Sequence, residues 1–199
     1  MPRLRAPHVG ARALAHVTAV RRLVAFTTLA LIVAACGGDD GTPPGDDPAA
    51  ALRVSSNAFA DQSPIPVRYT CNDRNIPPDI GWEGVPARAT SLALVIDDPD
   101  APNGTFIHWT VWDIPVDAEG FTGSPPPLSG AKEGTNDAGS VGYSGPCPPP
   151  GAPHRYVFTV HALDATLGLE QGASPQEVRS AINSREIARG QLTGTYGGS

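Results

Sequence analysis

Three sets of ionisable side chains stand beside stretches that cannot form regular structure: Asp98 with Asp100, His108, and His154. The first set opens Asp98-Pro99-Asp100-Ala101-Pro102-Asn103-Gly104, where each proline lacks an N–H and Asn-Gly favours a tight turn. The last closes Gly142 to His154 (GYSGPCPPPGAPH), in which eight of thirteen positions are Gly or Pro. Such a stiff loop is an edge on which binding groups can be held. Carboxylates and imidazoles so placed could serve hydrolysis, metal ligation or anion binding. Hydrolysis finds no nucleophile: Gly142-Tyr143-Ser144-Gly145-Pro146 departs from G-x-S-x-G, with Pro146 where Gly is needed. Asp98-x-Asp100 starts like a calcium loop, yet Pro102 occupies the third ligand position and Trp109 the twelfth. The histidines lack H-x-x-x-H spacing, so zinc on Asp98, His108 and His154 has no pattern behind it. Taken singly, His108 beside Trp109 reads as a satisfied core histidine. The chain is expected to be non-enzymatic, with no cofactor and no metal.

Short strands must position these groups. Ser91 to Ile96 (SLALVI) is a continuous apolar run ended by acids and Pro99, as for a strand buried on both faces. Thr105 to Ile114 (TFIHWTVWDI) reads as the returning strand. Period two places Phe106, His108, Thr110 and Trp112 on one face, and Ile107, Trp109 and Val111 on the other. Tyr156 to Leu163 (YVFTVHAL) is a third strand, with His154 and Tyr156 on one parity and His161 on the opposite one. Asp97 is expected to be solvated at a strand end, and His161 to be structural. Helix is expected only near the C-terminus. Ser174-Pro175-Gln176-Glu177 combines an N-cap Ser, Pro at the first turn and Glu at N3. Val178, Ala181, Ile182, Arg185 and Ala188 mark one face, and Gly190 is the expected stop. The economical architecture is mainly β, a two-sheet sandwich with a C-terminal helix packed on it.

Charge divides the chain. Residues 1–35 hold five Arg and no acid, whereas nine basic and twenty acidic residues follow from Cys36 onward. The acidic body argues against nucleic acid, which needs clustered Lys or Arg, and Lys132 is the sole lysine. Leu23 to Ala35 is uncharged, follows Arg21-Arg22, and at about 20 Å of helix is too short to span a bilayer. It fits an export signal over 1–35. Val33-Ala34-Ala35-Cys36 resembles a bacterial lipobox, which implies a lipid on Cys36 and cleavage before it. Residues 36–51, rich in Gly, Pro and Asp, read as a flexible tether with a reach of roughly 20 Å, leaving 52–199 as the folded domain.

Taken together, the motifs resemble the phosphatidylethanolamine-binding protein family, in its bacterial branch of Raf-kinase-inhibitor-like proteins. The matching stretches include Tyr69-Thr70-Cys71, Trp82-x-x-Val85-Pro86, Asp98-Pro99-Asp100-Ala101-Pro102 and His108-Trp109. Gly142-Tyr143-x-Gly145-Pro146-Cys147-Pro148-Pro149, His154-Arg155-Tyr156-Val157-Phe158 and Gly194-x-Tyr196 follow in the family's order. The resemblance implies a two-sheet antiparallel fold and a small anion-binding cavity lined by Asp98, Asp100, His108, Gly145, Pro148, His154 and Tyr156. A carboxylate beside imidazole favours the imidazolium, which donates from both nitrogens and could hold phosphate without Lys or Arg. The expected ligand is a small anion or phospholipid headgroup, with the chain lipid-anchored at the cell envelope. A second reading, carried by the family's inhibitory members, is a regulator of a protein partner. Arg155 is expected to pair with a carboxylate. With Cys36 acylated, Cys71 and Cys147 are the two remaining thiols in an oxidising setting. They match family cysteines that cytosolic relatives carry unbridged, so both the thiol and the disulfide state stay open.

Overall fold

The computed structural model describes residues 52–122, 128 and 130–197. The leader, Cys36 and the tether lie outside the described residues. The strands in chain order are β1 (Arg53–Ser55), β2 (Ser63–Pro64), β3 (Ile80–Glu83), β4 (Ser91–Asp98) and β5 (Phe106–Ile114). They continue as β6 (Gly120–Phe121), β7 (Lys132–Glu133), β8 (His154–Leu163) and, after helix α1 (Pro175–Asn183), β9 (Glu186–Tyr196). Six of them form one sheet in the order β2-β9-β8-β4-β5-β7, and β1-β3-β6 form a second. Every pairing is antiparallel except β2 with β9, which is parallel.

The three apolar runs become the centre of the large sheet. From Ser91 to Ile96 every residue of β4 is buried, because one face meets the small sheet and the other meets α1. Leu92, Leu94 and Ile96 join Trp82, Tyr156, Phe158 and Val160 in the inter-sheet core, and Phe59 packs on Phe158 with ring centroids 5.4 Å apart. Ala93 and Val95 point the other way, where Val178 and Ile182 of α1 cover them.

The alternation expected along β5 fails at two points. Ile96 pairs with Trp109 but Asp97 pairs with Ile107, so His108 is an extra residue in the ladder. Leu92 pairs with Ile114 and Leu94 with Val111, which inserts a second residue near Asp113, whose φ is 55°. A bulge reverses the parity of everything beyond it. Trp109, Val111 and Ile114 therefore share the inter-sheet core, while Ile107 and Trp112 lie under the helix. Ile107 and Trp109 do not share a face.

The helix begins where its capping residues dictate. Ser174 accepts from the Glu177 N–H, and the Glu177 carboxylate accepts from the Ser174 N–H at 2.9 Å, closing a capping box. Its end differs from expectation. The helix stops at Asn183, and Gly190 sits inside β9, which runs back along β8 over ten paired positions. A Cβ at Gly190 would collide with the Leu52 carbonyl, so glycine is there for close approach of the backbone that leads into β1. Ser174→Ala is expected to destabilise the domain by about 1 kcal/mol, the usual worth of a cap. Thermal unfolding checks this as a fall of roughly 2–4 °C.

Candidate functional site

The site is built at the ends of β4, β5 and β8, where the breaker-rich loops begin. Asp98 closes β4 and is nearly fully buried, at 4% exposure. Its Oδ2 lies 2.7 Å from His154 Nδ1, at the start of β8, and its Oδ1 accepts from the Asp100 N–H at 2.8 Å. The turn after β4 is thus folded around the same carboxylate that holds the histidine. His108 reaches this cluster because it is the bulged residue of β5. Its ring meets Tyr156 edge to face at 5.2 Å and Phe106 at 4.8 Å.

Hydrogen bonds set the tautomers. His108 Nδ1 is 2.6 Å from the Ser144 carbonyl oxygen. A carbonyl only accepts, so Nδ1 carries the proton. His154 Nδ1 likewise donates to the Asp98 carboxylate. Both rings are therefore held from the Nδ1 side, leaving each Nε2 for another partner. A neutral ring offers a lone pair there, and an imidazolium offers a donor. Burial pushes the His108 pKa down, with the Ser144 carbonyl and the Asp98 charge opposing the shift. Burial also pushes the Tyr156 phenol up, reinforced by Asp98. The Tyr156 hydroxyl is buried and has no hydrogen-bond partner among the described residues. An unsatisfied buried hydroxyl costs about 1–3 kcal/mol.

The loop that carries Ser144 is secured from several directions. Tyr143 donates to the Tyr69 carbonyl at 2.7 Å, Gly145 N–H to Asn75 Oδ1 at 2.8 Å, and Cys71 N–H to the Pro146 carbonyl at 3.1 Å. Cys71 and Cys147 form a disulfide beside these bonds, which resolves the alternative left by the sequence. A Cβ on Gly145 would lie 2.6 Å from the Tyr69 carbonyl oxygen and 3.0 Å from Thr70 Cα. No side chain fits between the two backbones. Pro148, half-buried, follows directly after the bridge.

The sequence-derived candidates separate into groups. Asp98, His154, His108 and Tyr156 come together. Gly145 and Pro148 belong to the loop that holds His108, with the Gly145 N–H already committed to Asn75. Asp100 is committed to Arg155. Both its carboxylate oxygens bind the Arg155 guanidinium, at 2.7 and 2.9 Å, and one also accepts from the Arg155 N–H. Those bonds hold its pKa down at about 2. Asp97 is half-buried within β4 rather than solvated beyond its end, and burial pushes its carboxyl up. Sequence reasoning named no role for Ser144, Asn75 or Asn72. Asn72 donates to the Tyr196 hydroxyl at 2.8 Å, and Tyr196 is the cross-strand neighbour of His154. The stretches around Tyr69 and Tyr196 pointed to this region without saying what they touch. Among the described residues, no three His, Cys, Asp or Glu side chains are grouped as metal ligands.

A family model described as "Phosphatidylethanolamine-binding protein" matches residues 55–197, nearly the whole of the described fold. The chain belongs to the phosphatidylethanolamine-binding protein family. Among its relatives, a UPF0098 protein of Methanothermobacter thermautotrophicus is 44% identical over 149 residues, covering 73% of this chain and 98% of that one. A Mycobacterium tuberculosis protein named as the lipoprotein LppC is 38% identical over 197 residues, covering 89% of this chain and 97% of its own. Of solved structures, the family homologue CT736 from Chlamydia trachomatis superposes with a TM-score of 0.70 at 36% identity, covering 75% of this chain and 99% of that one. YbcL of E. coli, described as a new member of the mammalian PEBP family, gives 0.71 at 31% identity, covering 75% and 100%. The two-sheet fold is thus shared with solved members of the family.

Proposed function

We propose that this protein is a non-enzymatic, lipid-anchored member of the family that binds small anions, free or on a phospholipid headgroup, at the cell envelope. The observation that carries the reading is the set of hydrogen bonds around His154, His108 and Tyr156. Two imidazoles fixed through Nδ1, with a buried phenol that lacks a partner beside them, can offer three donors once the rings are protonated. Asp98, bonded to His154 Nδ1, favours the imidazolium there. The family's description supports a headgroup as one source of the anion. The lipobox at Cys36, together with the relative named as a lipoprotein, supports anchoring.

The sign of the pH dependence follows from the geometry. Burial favours neutral His108, so an anion that needs an imidazolium donor must bring about uptake of a proton. Affinity should therefore fall as pH rises, by up to about tenfold per pH unit for each proton taken up. Sulfate is a clean probe, because its charge is constant from about pH 5 to pH 8. Titration followed by NMR of the histidine ring signals is expected to show tighter binding at the lower pH. Equal affinity at both ends of that range would overturn the imidazolium reading. In the absence of anion the same depression acts on stability. The unfolded chain binds the proton first, so stability associated with His108 declines as pH falls below about 6.5.

A further inference from the structure

The outward face of the six-stranded sheet carries a second polar cluster that the anion site does not use. Helix α1 covers only part of that face, seating Val178 and Ile182 on Ala93, Val95, Ile107, Trp112 and Leu163. Beyond this apolar seat, cross-strand register aligns Asp97 with Val157, Val95 with Thr159 and Gln191, and Ala93 with His161 and Arg189. These side chains alternate with Tyr156 and Phe158, and so look away from the inter-sheet core. Between them and the helix lies a cleft of about 230 Å³, where Arg179 and Asn183 of α1 oppose Asp97, His161, Arg189 and Gln191.

Some of these groups are already paired. His161 Nδ1 lies 2.5 Å from Glu186 Oε2, and Glu186 Oε1 lies 3.7 Å from Arg189. Gln191 donates to Thr159 at 3.0 Å. Asp97 and Arg179 differ, since neither joins an ion pair among the described residues. Asp97 is half-buried, and desolvation raises its pKa against the opposing charge of Arg179. A carboxylate held partly out of water near a cation that it does not touch is an unfavourable arrangement. A guest placed between them would relieve it. Arg189 is offset by Glu186 just outside the cleft, which leaves one acid, Asp97, and one guanidinium, Arg179, without an ion-pair partner, so the cleft favours neither a bare anion nor a bare cation. A molecule carrying both charges meets both needs. Having no net charge, it also escapes the long-range repulsion that an acidic protein exerts on anions.

We propose that this cleft binds a small carboxylate zwitterion, an amino acid in the broad sense, with its ammonium on Asp97 and its carboxylate on Arg179. The fork of a guanidinium matches a carboxylate in two parallel hydrogen bonds, and the Asn183 amide can add a third. The site is distinct from the Asp98 cluster, because it lies on the opposite face of β4 and β8.

The test is a titration of the isotope-labelled chain with straight-chain amino acids from glycine to 6-aminohexanoate, which vary the distance between the two charges. Propionate and propylamine serve as single-charge controls. At least one amino acid is expected to give saturable NMR shifts of the His161 ring and the Asn183 and Gln191 side-chain amides, with Kd of about 1 mM or tighter. Arg179→Gln and Asp97→Asn should each weaken it at least tenfold. Arg179 is exposed, so its replacement leaves the fold intact. The proposal is overturned if no amino acid saturates, if propionate binds as well as the best amino acid, or if both cleft variants keep full affinity. Binding lost in Asp98→Asn and kept in the cleft variants would assign it to the other face, and would equally overturn it.

Discussion

Replacing Cys71 and Cys147 together by serine is expected to lower the unfolding free energy by about 4.5 kcal/mol in the chain-entropy account. The bridge spans a sequence separation of 76. Cutting it frees the unfolded chain to explore many more conformations, while the folded chain keeps most of its contacts. Tyr143, Gly145 and Pro146 still hold the loop through bonds to Tyr69, Asn75 and Cys71. The Ser144 carbonyl should therefore remain in place to orient His108, and anion affinity measured well below the melting temperature should change by less than about threefold. For a domain of this size the loss corresponds to roughly 10–18 °C in melting temperature. Thermal unfolding with and without reductant, beside the double variant, checks both parts. A loss below about 1 kcal/mol would mean that the unfolded state is already restricted around this loop. A large loss of affinity at low temperature would show instead that the bridge positions the site.

Asp98→Asn is expected to have the larger effect on binding, weakening anion affinity by roughly tenfold to a hundredfold while the protein stays folded. The asparagine side chain has the same shape. Its oxygen can accept from the Asp100 N–H, and its amide can donate to an unprotonated His154 Nδ1. What it loses is the negative charge, which acts on His154 directly and on His108 and Tyr156 through space. A hydrogen bond to a charged group is worth about 1.5–3 kcal/mol, and that margin disappears with the charge. Sulfate titration at a pH near 6 reads the affinity, and the same samples report the fold through their amide spectra. Undiminished sulfate binding in a folded Asp98→Asn protein would remove the carboxylate from the binding account. Asp98→Leu is a harsher variant. It leaves the His154 N–H and the Asp100 N–H without an acceptor in a buried setting, so lost stability is the expected result there.

Much of the framework was legible because its signals are local. The capping box of α1 needs only Ser174, Pro175 and Glu177 within four positions, and the helix starts there. The apolar run from Ser91 to Ile96 announced a strand buried on both faces, and β4 is one. His154 and Tyr156 share a face opposite His161, as parity along β8 requires. The expected pairing of Arg155 with a carboxylate is met by Asp100, whose two oxygens it occupies. The end of the helix is not legible locally, because Ala188 and Gly190 carry no mark separating a helix stop from a strand that must pass close to Leu52.

By themselves, the residues determined which side chains could do chemistry, where the breakers lie, and which family's pattern they follow. Tertiary structure decided how those groups meet. The bulge at His108 exists only because β4 offers one residue where β5 offers two, a mismatch between segments that no period within either strand reveals. That one insertion turns His108 toward Tyr156 and divides Ile107 from Trp109. The proton on Nδ1 was settled by a carbonyl 36 positions away, and the state of Cys71 by a partner 76 positions away. Local sequence sets conformational preference through sterics and capping, which act over a few bonds. Register, tautomer and covalent pairing depend on what a distant segment brings alongside, and only the folded chain supplies that.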